Sequence, residues 1–302
     1  MSDSRKMQLV ERKQCIKMLR KYKVTYLGYC VEMLKYLSEN SCFTIVNTVG
    51  VKGRISDEQI KYISEHEIEY KELEKKSDLC FLEEMFDKSD IVILYKFEYI
   101  IPQNFIEKYT FFNFHGGNLK TNRGAHAVVW SILNQEKQTC LTLYKLTGGI
   151  DVGIVIGEYY VDIERDDTPI SLNEKLWLGI PGLLCSLIKY LNGTIKGKLI
   201  TEGEYRRKIK EEDYTINICA DNFEKIIAKI NSQVAYSGAV LWFEGTKYRV
   251  RYTHQQDIPE DCERIVEKKE NECIVEEHGK RITMIIEEEK QDVNKEIKGS
   301  LR

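Results

Sequence analysis

The residues with the clearest chemical potential lie in the stretch FFNFHGGNLKTNRG, residues 111–124. Asn113 and His115 are two positions apart at the end of a predicted strand, so their side chains point to the same side. Gly116 and Gly117 follow and allow the backbone to turn sharply, close to a ligand. An amide donor beside an imidazole can stabilise the oxyanion of a tetrahedral intermediate or move a proton, so this pair is suited to acyl transfer.

A carboxylate follows in the segment TGGIDVG, residues 147–153. Asp151 lies on a tight loop between two strand-like runs. If that loop returns to the same end of the sheet, Asp151 can orient the imidazole or accept the proton lost by an attacking amine. Residue types alone leave structural roles equally open: a strand-end cap for Asn113, a satisfied buried side chain for His115 and a turn former for Asp151.

Common cofactor and hydrolase motifs are missing from the sequence. A dinucleotide site needs G-x-G-x-x-G directly after the first strand, where the backbone must approach a pyrophosphate. That turn reads YLGYCVEM and offers one useful glycine, Gly28. The sequence also has no P-loop, no H-E-x-x-H and no G-x-S-x-G, which argues against nucleotide hydrolysis, zinc proteolysis and serine hydrolysis.

Short apolar runs alternate with helical patterns from residue 23 onwards. The strand-like runs are KVTYLGYC, FTIVNTVGV, DIVILYKF, TFFNFH, CLTLYKL and VIGEYYVDI. Several are apolar on both faces, which is typical of a mostly parallel sheet covered by helices on both sides. The alternation therefore predicts an α/β fold with a Rossmann-like sheet.

Helix starts are marked by candidate capping boxes. The candidate pairs are Ser56 with Gln59, Ser171 with Glu174, and Asp221 with Glu224. Further helices are predicted at VEMLKYLSEN and from near Gly124. Pro181 and Gly182 fall inside the long helical pattern that begins at Ser171, so we expect that helix to kink or restart there.

Changes in residue composition and hydrophobic pattern along the chain suggest its division into domains. We predict a helical leader over residues 1–22, a catalytic domain over 23–204, a smaller β-rich domain over 205–290 and a polar tail over 291–302. In the third segment, two strand-like runs meet at Glu244-Gly245, which is typical of a hairpin. We expect this β-rich domain to resemble an open barrel.

Composition excludes several classes of protein. The chain has 302 residues, 42% hydrophobic and 31% charged, with a net charge of −3. No apolar run approaches the roughly 20 residues that span a bilayer, so we expect a cytoplasmic protein without a membrane partner. The nine cysteines form no C-x-x-C pair, so neither a zinc site nor a disulfide framework is indicated.

Three consecutive segments resemble the folate-dependent formyltransferases: NFHGGNLKTNRG, the helix AHAVVWSILN and GIDVG. That family, which includes methionyl-tRNA formyltransferase and the sugar N-formyltransferases, has N-x-H-P-S-L-L-P-x-x-R-G, then a helix, then G-x-D-x-G. DIVILYKFEYIIPQNFI resembles the family's folate-lining segment, and AYSGAVLWFEGTKYRV its C-terminal strand pair. The resemblance covers most of residues 23–287.

The resemblance implies a role for each matching position. Asn113, His115 and Asp151 correspond to the catalytic residues, and 10-formyltetrahydrofolate is the implied donor, with no metal. The positions implied to line the folate site are Tyr95, Phe97, Ile100, Ile101, Gly149 and Ile150. The positions implied to face the acceptor amine are Gly116, Gly117, Asn118, Lys120 and Arg123, although a loop-to-sheet salt bridge is a structural alternative for Arg123.

The acceptor is the open question. Gly116 and Lys120 replace two family prolines, which predicts a less rigid loop, and Asn118 is polar where the family has leucine. A net charge of −3 disfavours tRNA, whose binding depends on a basic surface. We therefore favour a nucleotide-linked amino sugar, with tRNA second and a folate-binding protein without catalysis third. The oligomeric state stays open, with a homodimer as one option.

Overall fold

The computed structural model describes residues 20–259 and 263–289. They form two compact units. The first contains residues 20–123, Cys140–Tyr159 and Leu176–Glu204, and the second contains Gly124–Thr139, Tyr160–Lys175 and the described residues from Tyr205 onwards. Nearly all of the predicted leader helix over residues 1–22 lies outside the described residues, as does the predicted tail over 291–302.

A central sheet carries the first unit. Its strands are β1 (Tyr22–Gly28), β2 (Phe43–Val51), β3 (Glu69–Leu73), β4 (Ile91–Tyr95), β5 (Phe111–His115), β7 (Gln138–Leu146), β8 (Gly153–Asp162) and β9 (Lys198–Ile200). They run in the order β3-β2-β1-β4-β5-β7-β8-β9. The first five are parallel, β7 is antiparallel to β5, and β9 is antiparallel to β8. Strand β3, EYKEL, was not predicted, because an edge strand rich in charge lacks the apolar alternation that marks a strand.

Helices connect the strands. They are α1 (Val31–Glu39), α2 (Asp57–Glu65), α3 (Glu83–Asp87), α4 (Gln103–Lys108), α5 (Ala127–Leu133), α6 (Pro169–Trp177), α7 (Ile180–Leu191) and α8 (Phe223–Gln233), with 3-10 turns at Lys76–Leu82 and Glu211–Tyr214. The predicted restart is confirmed, since α6 ends at Trp177 and α7 begins at Ile180, directly before Pro181. Pro181 fits there because the first turn of a helix needs no N–H from it.

Both faces of the central sheet are covered by helices. The ring of Phe111 meets that of Phe86 in α3 edge to face, with 5.4 Å between the ring centres. Its neighbour in β5, Phe112, meets Tyr190 of α7 at 6.1 Å. Successive side chains of a strand point to opposite faces, so these two contacts identify the two helical layers. The predicted α/β fold with a mostly parallel sheet is confirmed.

A second sheet forms the core of the other unit. Its strands are β11 (Thr215–Ile216), β12 (Ala239–Phe243), β13 (Thr246–Asp257), β14 (Ile265–Lys268), β15 (Glu272–Glu277) and β16 (Lys280–Glu288), in the order β11-β12-β13-β16-β15-β14. Glu244 and Gly245 both have positive φ, 48° and 81°, as a tight two-residue hairpin requires, so the predicted hairpin is confirmed. The short strands β6 (Arg123–Gly124) and β10 (Tyr205–Arg206) form a separate pair.

Two of the three predicted capping boxes are wrong, although a helix follows each. Helix α6 begins two residues earlier than predicted, and Thr168 rather than Ser171 caps it by accepting the N–H of Ser171. Helix α8 is capped by Asn222, which accepts the N–H of Lys225, because the carboxylate of Asp221 is engaged by lysine side chains.

Only one of the two hydrogen bonds of the third predicted capping box, Ser56 with Gln59, is present. Ser56 accepts the N–H of Gln59 and caps α2 as predicted. The amide of Gln59 does not return to the Ser56 backbone, as a capping box would require, and instead donates to the carbonyl of Gly28.

Three further properties concern only the described ranges 20–259 and 263–289. No helix there is long and apolar enough to cross a bilayer. The seven cysteines in these ranges are free thiols. No group of three or more His, Cys, Asp or Glu side chains there is arranged to hold a metal ion.

Candidate active site

The end of β5 places Asn113 and His115 on one face of the central sheet. Asn113 is half-buried and His115 is 8% exposed. Strand β7 runs antiparallel beside them, with Tyr144 paired opposite Asn113 and Thr142 opposite His115. Because paired residues in neighbouring strands point to the same face, Tyr144 lies directly beside the amide of Asn113.

Tyr144 links two of the predicted catalytic residues. Its hydroxyl accepts a hydrogen bond from Asn113 Nδ2 at 3.0 Å and donates one to Asp151 Oδ1 at 2.7 Å. An ionised carboxylate can only accept, so the hydroxyl proton points to Asp151 and the hydroxyl oxygen must accept from Asn113. This order assigns the amide orientation of Asn113 and leaves its second N–H for another acceptor.

The Tyr144 hydroxyl keeps its proton. Burial of the ring, followed by the negative charge of Asp151, raises the pKa of Tyr144 well above its ordinary value. The hydroxyl therefore remains a donor to Asp151 throughout the neutral and mildly alkaline range.

His115 is held from one side and faces Asp151 with the other. Its Nε2 lies 2.6 Å from the carbonyl oxygen of Asn122. A carbonyl only accepts, so Nε2 carries a hydrogen and Nδ1 is the basic nitrogen of the neutral ring. Nδ1 lies 3.7 Å from Asp151 Oδ2, which is beyond a direct hydrogen bond but within reach of one bridging group. Asp151 is thus well inside the distance of about 7 Å that a shared proton path allows.

The Asp151 loop, residues 147–152, is fixed by an uncommon backbone conformation. Asp151 has φ 48° and Gly149 has φ 81°. A Cβ on Gly148 would lie 2.7 Å from Gln103 Oε1, so this loop packs against the start of α4. The glycine turn that precedes Asp151 therefore lies directly beside Gln103.

The loop after His115 is held by hydrogen bonds where the resembling family has prolines. Asn118 organises a turn by accepting the N–H groups of Thr121 and Asn122 on its carbonyl and that of Lys120 on its side chain. Thr142 donates to the carbonyl of Gly117 at 2.8 Å. The predicted loss of rigidity is thus offset by these contacts.

The five positions predicted to face the acceptor have different surroundings. Gly117 is buried and Gly116 half-buried, while Asn118 donates to Glu158 at 3.1 Å and Lys120 is exposed. Arg123 donates to the carbonyls of Gly203, at 2.7 Å, and Thr201, at 3.4 Å. Arg123 therefore ties the loop to residues 201–203, which resembles its structural alternative with carbonyls in place of a carboxylate.

The six positions predicted to line a folate site fall into two groups. Tyr95 and Ile101 are buried in the core, and Phe97 packs against it. Ile100 and Ile150 are 53% and 39% exposed, although both are large and apolar. Gly149 is also exposed, next to Ile150. Exposed apolar side chains on the Asp151 loop and on the segment before α4 can provide a surface for a flat, apolar ligand.

A family profile matches the part of the chain that holds this cluster. Residues 34–178 match the profile described as formyl transferase, and they include Asn113, His115, Tyr144 and Asp151. Residues 34–178 are therefore similar to a formyl transferase domain, which supports the family that the motifs indicate.

Relatives and solved structures agree with the family. The chain is 30% identical to the methionyl-tRNA formyltransferase of Pelagibacter ubique over 171 residues, 53% of each chain. It thus spans about half the length of that curated relative. HypX from Aquifex aeolicus, solved with tetrahydrofolic acid, has a TM-score of 0.64 at 16% identity, over 90% of this chain and 45% of HypX. An N-formyltransferase from Helicobacter canadensis, solved with folinic acid and dTDP-3-aminofucose, has a TM-score of 0.61 at 18% identity, over 88% and 100%.

Tyr144 was not identified as a functional residue from the sequence alone. It lies in CLTLYKL, which predicted only a buried strand. A signal was present, because a tyrosine buried in such a run needs a partner for its hydroxyl. That partner could not be named without the register of β5 against β7, which pairs residues 31 positions apart.

Proposed function

We propose that this chain transfers a formyl group from 10-formyltetrahydrofolate to a primary amine, most fittingly that of a nucleotide-linked amino sugar. The observation that carries the proposal is the connected cluster of Asn113, Tyr144, Asp151 and His115 at the end of β5. In open α/β sheets, ligands bind at the carboxyl ends of the strands, where this cluster lies. The same fold in neighbours solved with tetrahydrofolic acid or folinic acid supports the choice of donor.

The residues around Asp151 fit a folate. Ile100 and Ile150 offer exposed apolar side chains for a flat ring system. Gly148 and Gly149, which precede Ile150 and Asp151, both have positive φ and carry no side chain. This part of the loop therefore leaves space for a ligand. The donor would supply an electrophilic formyl carbon and a nitrogen that leaves it.

The four residues of the cluster divide the work of acyl transfer. The reaction forms a bond between the acceptor nitrogen and the formyl carbon, and breaks the bond from that carbon to the donor nitrogen. Asn113 donates its second N–H to the formyl oxygen as negative charge develops there. His115 acts through Nδ1, which in its protonated form donates towards the same oxygen.

Protons must also move from one nitrogen to the other. The attacking amine loses a proton, and the departing nitrogen gains one. Asp151 lies beside His115 Nδ1 and can accept the first proton and return it. Tyr144 fixes the other oxygen of Asp151 through its 2.7 Å hydrogen bond, so Oδ2 is the oxygen that takes part.

The charges of the C-terminal sheet favour a small acceptor over tRNA. Lys247 and Arg249 on β13 are both paired with Glu211 and Glu289, at distances of 2.8 to 3.1 Å. Paired cations are poorly placed to neutralise phosphates, on which nucleic-acid affinity depends. The Helicobacter canadensis enzyme, solved with dTDP-3-aminofucose, also matches over its full length.

Methionyl-tRNA formylation is the second candidate. It is favoured by the 30% identity to a methionyl-tRNA formyltransferase, which exceeds the 18% identity to the solved Helicobacter canadensis enzyme. Sequence identity thus favours tRNA, whereas the paired charges and the full-length structural match favour a sugar.

One assay separates these candidates. The purified chain is mixed with 10-formyltetrahydrofolate and, separately, with a panel of nucleotide-linked amino sugars and with Met-tRNA, and the release of tetrahydrofolate is followed. We expect release with at least one sugar and none with Met-tRNA. Release with Met-tRNA alone would establish the second candidate, and tight folate binding with no release on any acceptor would point to a binding protein.

A further inference from the structure

Lys96 occupies the point of the sheet where ligands of α/β proteins gather. It directly follows β4, whose last residue, Tyr95, pairs with Gly28 at the end of β1. In the order β3-β2-β1-β4-β5, the chain leaves β1 towards one side and β4 towards the other. This topological switch opens a crevice beyond the carboxyl ends of β1 and β4.

The backbone of Lys96 is held in a conformation that lysine rarely adopts. Its φ is 55°, in the left-handed region. Such a conformation costs on the order of 1 kcal/mol for a residue with a Cβ, and it persists where the surroundings fix it. The result is that the side chain of Lys96 is directed by the structure and not by its own preference.

The ammonium group of Lys96 lies over aromatic rings and lacks an acidic partner. Nζ is 4.9 Å from the centre of the Trp177 indole and 5.8 Å from that of the Tyr95 ring. Among residues 20–259 and 263–289, no side chain or carbonyl forms a hydrogen bond or ion pair with it. Lys71, another half-buried lysine of the same unit, differs because it lies over Phe81 but also donates to that residue's carbonyl at 3.0 Å.

The surroundings of this ammonium favour a bound negative charge. Burial lowers the pKa of Lys96, and the nearby Cys30 and Glu32 offset that effect only in part. Half-buried cations are normally paired, because the water they lose must be replaced. An anion bound at Nζ would take the place of the lost water. The fixed position of the Lys96 side chain would favour that contact further.

We propose that Lys96 binds an anionic group of the acceptor substrate, a phosphate of its nucleotide part, in the crevice between β1 and β4. This inference rests on the proposed function, in which the acceptor is nucleotide-linked. Tyr95 packs against Phe114, on the face opposite Asn113, whereas Leu94 on the Asn113 face packs with Ile101 in the core. The ammonium of Lys96 thus lies over a ring on the face of β4 opposite Asn113.

A folate also carries anionic carboxylates, so the test must separate the two ligands. Binding of inorganic pyrophosphate and of tetrahydrofolate is measured by calorimetry at low ionic strength for the full chain, Lys96→Met and Lys96→Arg. We expect Lys96→Met to weaken pyrophosphate binding about tenfold or more, since that is the order of one charge-assisted contact. Lys96→Arg should retain most of it, and tetrahydrofolate binding should be the same in all three.

Lys71→Met is the matched control, because it also removes a half-buried lysine from an aromatic ring, and it should bind pyrophosphate as the unaltered chain does. Lys96→Gln, compared by circular dichroism, serves if Lys96→Met fails to fold. Three results would each overturn the proposal. The Lys96 variants could bind pyrophosphate as tightly as the unaltered chain, the unaltered chain could fail to bind it, or the variants could lose only tetrahydrofolate binding. Binding needs no turnover, so Lys96-dependent binding without formyl transfer would overturn only the proposed reaction.

Discussion

Two buried polar clusters in this chain are built differently. The Asp221 cluster, in the C-terminal unit, joins Asp221 to the ammonium groups of Lys225 and Lys229 and to the N–H of Asn217. The active-site cluster of Asn113, Tyr144, Asp151 and His115 instead leaves 3.7 Å between His115 Nδ1 and Asp151 Oδ2. Closed pairs hold a structure, whereas a gap of this size leaves room for a reacting group. The difference separates a stabilising cluster from the one proposed for catalysis.

The largest expected effect lies in the active-site cluster. Asn113→Ala or His115→Ala should lower kcat by about a hundredfold or more, because each removes a group that acts on the developing oxyanion. The thermal unfolding temperature should change little, since neither residue closes an ion pair. Stopped-flow or steady-state release of tetrahydrofolate measures the first quantity, and circular dichroism the second.

Asn134→Ala is the control for these variants. Asn134 directly follows α5, and within residues 20–259 and 263–289 its side chain makes a single 3.5 Å contact, with Glu136, so its loss should leave kcat unchanged. Near-normal turnover in both active-site variants would remove the catalytic assignment of the cluster.

The Asp221 cluster should respond in stability. Lys229→Met leaves the buried carboxylate of Asp221 without its buried partner, which costs about 3–5 kcal/mol of unfolding free energy. Lys225→Met removes a partner of the same carboxylate that is 51% exposed, and it should cost about 1 kcal/mol or less. Urea unfolding followed by circular dichroism compares the two, and equal losses would contradict the distinction between them.

A smaller effect is expected when Tyr144 loses only its hydroxyl. Tyr144→Phe keeps the ring but removes the bonds to Asn113 and Asp151, so both groups proposed for catalysis lose their orientation. We expect kcat to fall about tenfold, the order of one or two hydrogen bonds, with little change in KM for the donor. Tyr190→Phe, on the opposite face of β5, should have the activity of the unaltered chain, and a similar loss there would show a general packing effect.

The smallest expected effect is a change in the free energy of unfolding at acidic pH. Burial alone would raise the pKa of Asp221, but its bonds to Lys229, Lys225 and Asn217 outweigh burial and hold the pKa below its ordinary value. A depressed pKa in the folded state gives stability that is present above about pH 3.9 and is lost as the pH falls through the folded value. The difference in unfolding free energy between the unaltered chain and Asp221→Asn should therefore shrink below about pH 4, and a constant difference would contradict the pairing.

Local patterns were sufficient for four of the five parallel strands and for most helices. FTIVNTVGV and CLTLYKL are apolar enough to predict strands, and Ser56 correctly marks the start of α2. Patterns failed where a side chain had a distant partner. Asp221 resembles a helix cap in sequence, but Lys229 engages it, and Asn222 caps the helix instead.

The sequence by itself determined the class of fold and, through a resemblance, the residues proposed for catalysis, because apolar periodicity and short motifs are local properties. Only the tertiary structure decided how those residues are joined. Tyr144 enters the cluster because β7 runs antiparallel to β5, and Lys96 lies over Trp177, 81 positions further on, because the fold of the first unit brings these two residues together. Such contacts depend on strand register and chain topology, which no short stretch of sequence specifies.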